Sequence, residues 1–115
     1  MSSIPFKLPD AGLREVSGTL YLEDELIVLE IETTLFGEWD PENKVVEIEP
    51  GALVEVRFLA GFLRDKLVLR PRKRDLLSVV PGTHREELVL KIKKRYRDDT
   101  LALAEIIEDW IARLA

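Results

Sequence analysis

The sequence predicts a mainly β domain finished by one C-terminal α-helix. Two observations about pattern and one about composition carry that prediction. Apolar and polar residues alternate in short segments up to about residue 94, the mark of half-buried strands. From Asp99 the apolar spacing changes to that of an amphipathic helix. Leu, Ile, Val and Phe make up 41 of the 115 residues, well above the roughly 20% at which a charged chain fails to build a core. The length suits a single domain.

Residues 1–13, with Pro5, Pro9 and Gly12, read as an irregular N-terminal arm, and 14–115 as the domain. Thr19–Leu22 is a short strand between Gly18 and the acidic turn Glu23-Asp24-Glu25. Leu26–Leu35 follows, with Ile27, Leu29, Ile31 and Thr33 on one face and Glu30 and Glu32 on the other. Dense β-branching and glutamates at period two disfavour a helix there. Asp40-Pro41-Glu42-Asn43 is a type I turn, since Pro41 presets φ and Asp40 bonds the backbone ahead. Lys44–Glu49 is a strand with Val46 and Ile48 inward.

After Pro50-Gly51, Leu53–Leu59 alternates, with Val54, Val56 and Phe58 set against Glu55 and Arg57. Gly61 and Asp65 mark a turn, Lys66–Arg70 a strand with Leu67 and Leu69 inward, and Pro71 its end. Asp75–Val80 is a weaker run closed by Pro81-Gly82. Leu88–Lys94 alternates strictly, with Leu88, Leu90 and Ile92 inward. Thr83-His84-Arg85-Glu86 fits a helical capping box, so a helix over 85–97 is the alternative; the alternation favours the strand. In the final helix Leu103, Ile106, Ile107, Trp110 and Leu114 form the apolar stripe, and Asp98, Asp99 and Thr100 are candidate N-caps.

Seven short strands and a terminal helix carrying Glu108-Asp109-Trp110-Ile111 resemble the pleckstrin-homology-like domain, over residues 14–115. Gly18–Leu22 with its acidic turn, and Pro81-Gly82 before the last strand, belong to the same likeness. The resemblance implies a seven-stranded barrel of two near-orthogonal antiparallel sheets, with the C-terminal helix plugging one open end and Trp110 as the main plug. Family members that bind phosphoinositides do so through a basic turn between the first two strands. Here that turn is read as Glu23-Asp24-Glu25, whose three carboxylates repel a polyanion, so phosphoinositide is not an expected ligand. The implied role is a platform for protein or peptide contacts.

Several classes fall away. There is no cysteine, hence no disulfide framework, thiolate nucleophile or thiolate metal site. Met1–Asp10 lacks the basic-then-apolar pattern of a signal peptide, and no apolar run reaches the ~18 residues of a membrane span; a cytoplasmic location is expected. The one histidine, His84, has no second imidazole for a metal, and no serine sits in an elbow motif. Glu30, Glu32, Glu47 and Glu49 read as a solvated face rather than a hydrolytic pair. No catalytic, metal or cofactor site is expected, and the chain is read as a non-enzyme.

Charge is segregated. Eleven acids and one base lie between Glu15 and Glu49, whereas seven bases and one acid lie between Arg57 and Arg74. Arg70, Arg72, Lys73 and Arg74 form the densest basic run. Forked guanidiniums of this kind hold phosphates. A nucleic-acid site interleaves aromatics for stacking, and Phe58, Phe62 and Tyr96 are expected in the core or on edges. An exposed, solubilising turn is therefore favoured, and an anionic ligand or nucleic acid at 70–74 is the alternative. Trp39 reads equally as a satellite of Phe36 under the loop or as an exposed anchor for a partner. Leu26, Val28, Val45, Leu53 and Leu59 fall on outward faces, which implies cover by the arm or by a second copy. The expectation is a non-catalytic interaction module that contacts a protein partner or forms a homodimer.

Overall fold

The computed structural model describes residues 3–8, 14–35, 42–73 and 87–114. Among these residues are seven strands, β1 (Ile4–Lys7), β2 (Arg14–Glu23), β3 (Leu26–Leu35), β4 (Glu42–Ile48), β5 (Leu53–Leu59), β6 (Asp65–Pro71) and β7 (Leu88–Ile92), followed by helix α1 (Arg97–Leu114). All pairings are antiparallel, in the order β4-β3-β2-β1-β7-β6-β5.

The strands form one hydrogen-bonded sheet that does not close, in place of the two sheets of the expected barrel. The cause lies in the segment expected to be an arm. Ile4, Phe6 and Leu8 alternate and are all buried, so Ile4–Lys7 inserts as a strand between β2 and β7. It joins the two halves into a single sheet, with Leu8 N–H donating to the Val16 carbonyl at 2.9 Å. The run 75–80, read as a strand, lies outside the described residues.

The sheet cannot be flat. Six interstrand gaps of about 4.8 Å would place β4 and β5 nearly 29 Å apart. The chain passes from Ile48 to Leu53 in five residue steps, which reach at most about 18 Å. The sheet therefore curls until its two edges approach. The 3-10 turn Pro50–Ala52 bridges them, and α1 packs on that turn and on β5. Inside lie Leu20, Ile27, Leu29, Leu53, Leu67, Leu69, Leu88, Leu90 and Ile92, each fully buried.

The helix contributes Leu103, Ala104 and Ile107 to this core, while Trp110 is only half-buried and Leu114 is exposed. Leu103 and Ile107 are thus the plug in place of Trp110, because the start of α1 at Arg97 aims those positions at the sheet. A second 3-10 turn, Lys94–Tyr96, leads into α1. Thr100 is no N-cap: it is buried in the first turn, and its hydroxyl donates to the Tyr96 carbonyl at 2.7 Å.

Strand 53–59 departs from simple alternation. The register jumps between Leu53/Pro71 and Glu55/Arg70, so Val54 is an extra residue bulged out of the ladder. Leu53 and Val56 therefore both face inward, and Val54 is exposed. The expected outward position of Leu53 is corrected accordingly. Leu88–Ile92 is the strand that its alternation favoured.

β2 and β3 are joined by Asp24-Glu25 alone, with φ of 51° and 58°. Two positive φ values define a type I′ turn, whose twist matches the strands and whose usual residues are Asn and Gly. Glu25 holds a left-handed conformation without glycine's freedom, at a cost of about 1 kcal/mol. Glu25→Gly should raise the urea unfolding midpoint by an amount equivalent to up to about 1 kcal/mol.

Candidate functional site

Two surfaces on this scaffold have the shape of binding sites. The first lies at the free edge of β5. No strand pairs with that edge among the described residues. Beside it runs α1, and between them lies a groove of about 510 Å³, lined by Val54 to Leu59 with Glu108, Ile111 and Ala112. Val54 is on the edge because of the bulge, and Leu59 is exposed at the strand's end. Phe58 and Ile111 are half-buried along the floor. Arg57 is held by Glu55 at 3.2 Å and Glu87 at 3.0 Å, which leaves Glu108 as the charged group on the helix side of the groove.

The second is a groove of about 620 Å³ across the outer face of β1, β2 and β3. Small residues, Pro5, Ser17 and Thr19, form its floor. Glu30 and Glu32 stand on one wall, with Lys44 and Val45 of β4 beside them; Lys7, Lys91, Lys93 and Arg64 stand on the other. Glu30 is engaged: Thr19 Oγ1 donates to it at 3.3 Å and the Tyr21 hydroxyl at 3.1 Å. Partial burial, and then the bond to the Glu30 carboxylate, raise the Tyr21 pKa above its ordinary value.

The β5–β6 turn carries a clamp. Asp65 is buried with 0% exposure. Arg97 grips it in fork geometry, Nε to Oδ2 at 2.8 Å and Nη2 to Oδ1 at 2.7 Å. The Gly61 N–H donates to Oδ1 at 3.1 Å. The Arg97 bonds hold the Asp65 carboxyl below its usual pKa, and the Asp65 carboxylate raises that of Arg97. The clamp ties the start of α1 to the β5–β6 turn. The sequence marked Gly61 and Asp65 as turn residues but showed no partner for Asp65, because Arg97 lies 32 positions away.

The residues singled out from sequence are dispersed. In the basic run, Arg72 latches the 3-10 turn, its Nε donating to the Gly51 carbonyl at 3.2 Å and its N–H to the Ala52 carbonyl at 2.8 Å. Arg70 and Lys73 are exposed, Arg70 with a partner of its own. Arg74, like Trp39 and His84, lies outside the described residues. Val28 is buried at 4% exposure although it faces outward; the register sets Tyr21 and Glu47 on either side of it. Leu26 is half-buried. Of the five apolar residues read as outward-facing, Val45 and Leu59 are exposed, Leu26 is half-buried, and Val28 and Leu53 are buried.

Two further readings change. Glu23, Asp24 and Glu25 join the second and third strands, not the first two. Their charge is therefore no ground for an expectation about the turn between β1 and β2, which falls in 9–13, outside the described residues. Phe62, expected in the core or on an edge, is 90% exposed. Among the described residues no cluster of three or more metal-ligating side chains occurs, and no helix is long and apolar enough to cross a membrane. Comparison with models of protein families, with curated proteins and with solved structures finds no match.

Proposed function

We propose that the chain is a non-catalytic interaction module that takes an extended segment of a protein partner along the free edge of β5, beside α1. The groove between that edge and the helix carries this reading. Main-chain groups of β5 supply hydrogen bonds to an added strand, and side chains at alternate positions of the partner enter the groove. Phe58, Ile111 and Ala112 favour an apolar residue there, and Glu108 favours a basic one nearby. The element order supports the wider pleckstrin-homology-like assignment: a curled antiparallel sheet whose first strand lies between the second and seventh, with a terminal helix over the link from β4 to β5.

The test is selection of binders from a displayed random-peptide library, followed by amide chemical-shift mapping. Selected peptides should shift amides of Val54–Leu59 and of the 108–112 face of α1. Ala112→Trp, at an exposed position, should fill the groove and abolish capture without lowering the melting temperature. Peptides that survive Ala112→Trp, or that map elsewhere, would overturn the reading.

A further inference from the structure

The β5–β6 tip takes no part in that groove. Phe62 is 90% exposed and its neighbour Leu63 is 81% exposed, the two most exposed large apolar residues of the described chain. They are held out rather than loose. A side chain at Gly61 would run into the Arg64 carbonyl, so the turn is closed tightly on itself. The Asp65–Arg97 clamp fixes its base through the Gly61 N–H. Two apolar side chains on a rigid, convex turn have no pocket of their own to fill.

Behind the tip the sheet register assembles cations that are scattered in sequence. Lys7 lies directly opposite Lys91, and Lys91 directly opposite Lys66. Three lysines thus stand in a row across three adjacent strands, about 10 Å from first to last. Like charges directly opposite one another destabilise a sheet. Arg64 and Lys93 line the same groove wall as Lys7 and Lys91, and Lys94 Nζ lies 5.6 Å from the centre of the Phe62 ring. Among the described residues Lys66, Lys91, Lys93 and Arg64 have no ion pair. The described acids nearby are engaged or lie elsewhere. Asp65 is buried against Arg97, Glu15 lies 3.5 Å from Lys7, and Glu30 and Glu32 are on the far wall of the outer groove. Asp98 and Asp99 face solvent in the first turn of α1.

From this juxtaposition we infer that the β5–β6 tip docks on an anionic lipid bilayer, with Phe62 and Leu63 entering the headgroup region and the lysine row lying against the lipid phosphates and carboxylates. An apolar wedge with a cationic collar suits an interface that is greasy below and negative above. A bilayer needs no shape complement to a convex tip, whereas a protein groove does. Leu63 offers no ring on which a base could stack, and a single exposed Phe is a poor platform for a nucleic-acid strand. Glu30 and Glu32 on the far wall keep that side of the outer groove off the membrane, so contact is confined to the tip and the lysine wall.

Co-sedimentation of the full chain with phosphatidylcholine vesicles, alone and mixed with phosphatidylserine, tests this. Binding should require phosphatidylserine and weaken with salt. Leu63→Asp, at a position already in water, should leave the melting temperature unchanged and lower partition roughly ten-fold or more. Lys91→Glu should lower partition about ten-fold or more, yet raise the melting temperature by about 2 °C, because it breaks the like-charge row. That pairing of lost binding with gained stability is one a merely structural lysine would not produce. Phosphatidylserine-independent binding, binding that survives Leu63→Asp, or capture of a single-stranded oligonucleotide in preference to vesicles would overturn the inference. Ala112→Trp should leave vesicle binding intact, so failure of the peptide reading and failure of this one are distinguishable.

Discussion

Gly18→Val should cost the domain at least about 3 kcal/mol, the upper end of what overpacking does, and should be the most damaging single substitution in the sheet. Gly18 pairs with Phe6 on one side and Ile31 on the other, at the centre of the β1-β2-β3 ladder. A Cβ there would run into the Glu30 carbonyl oxygen and come within 2.9 Å of the Phe6 ring tip. The ring could turn aside. The carbonyl belongs to the backbone of a central strand and cannot move without breaking its ladder. A domain of this size holds only ~5–15 kcal/mol in all, so the loss shows directly in yield and in the denaturation midpoint. Ser17→Ala, one residue away on the outer face, is the control and should change little. A Gly18→Val midpoint equal to that of the control would mean that β2 and β3 do not approach this closely.

Arg97→Met should be nearly as severe, because it strands the Asp65 carboxylate. Asp65 is fully buried, and without the guanidinium its one remaining partner is the Gly61 N–H. Removing one side of a buried pair costs about 3–5 kcal/mol; the lower end applies to Asp65, since the Arg97 side is open to water. The pH dependence separates this from lost packing. In the wild-type chain the Asp65 pKa is lowered, above all by the Arg97 bonds. Its contribution is therefore complete above the ordinary carboxylate pKa and is lost as pH falls through the depressed folded value. In Arg97→Met, burial without the partner instead favours the neutral acid, so the variant gains stability on acidification. The gap between the two proteins should narrow as pH falls through the carboxylate range. A constant gap in thermal melts from neutral to acidic pH would show that Asp65 is not the group left exposed to the loss.

Local pattern was enough to identify most elements. Leu26–Leu35 and the 88–92 strand follow from alternation alone, because a half-buried strand must show one apolar face whatever it pairs with. The helix follows from its stripe for the same reason. Where neighbours decide burial, pattern failed. Ile4–Lys7 alternates like any strand, but Pro5 masked it, and only the open slot between β2 and β7 makes those four residues a central strand. Val54 alternates in sequence and is bulged in the structure, since a bulge is a property of the pair and not of one strand.

The candidate surfaces were less legible still. The sequence pointed to Arg70–Arg74 because charge density along a chain is visible, and Arg72 proves to be a latch on Gly51. The row Lys7, Lys91 and Lys66 exists only through antiparallel register, which brings together residues up to 84 positions apart. Phe62 and Leu63 carry a weak signal, an apolar pair inside a turn between Gly61 and Arg64. Exposure depends on what covers a side chain, so composition could not distinguish Phe62 from Phe58. By itself the sequence determined a β-rich chain with a terminal amphipathic helix, because periodicity is a local consequence of backbone geometry. The tertiary structure alone decided the single curled sheet, the buried Asp65, the β5–α1 groove and the cationic tip, because each is made by residues that only folding brings into contact.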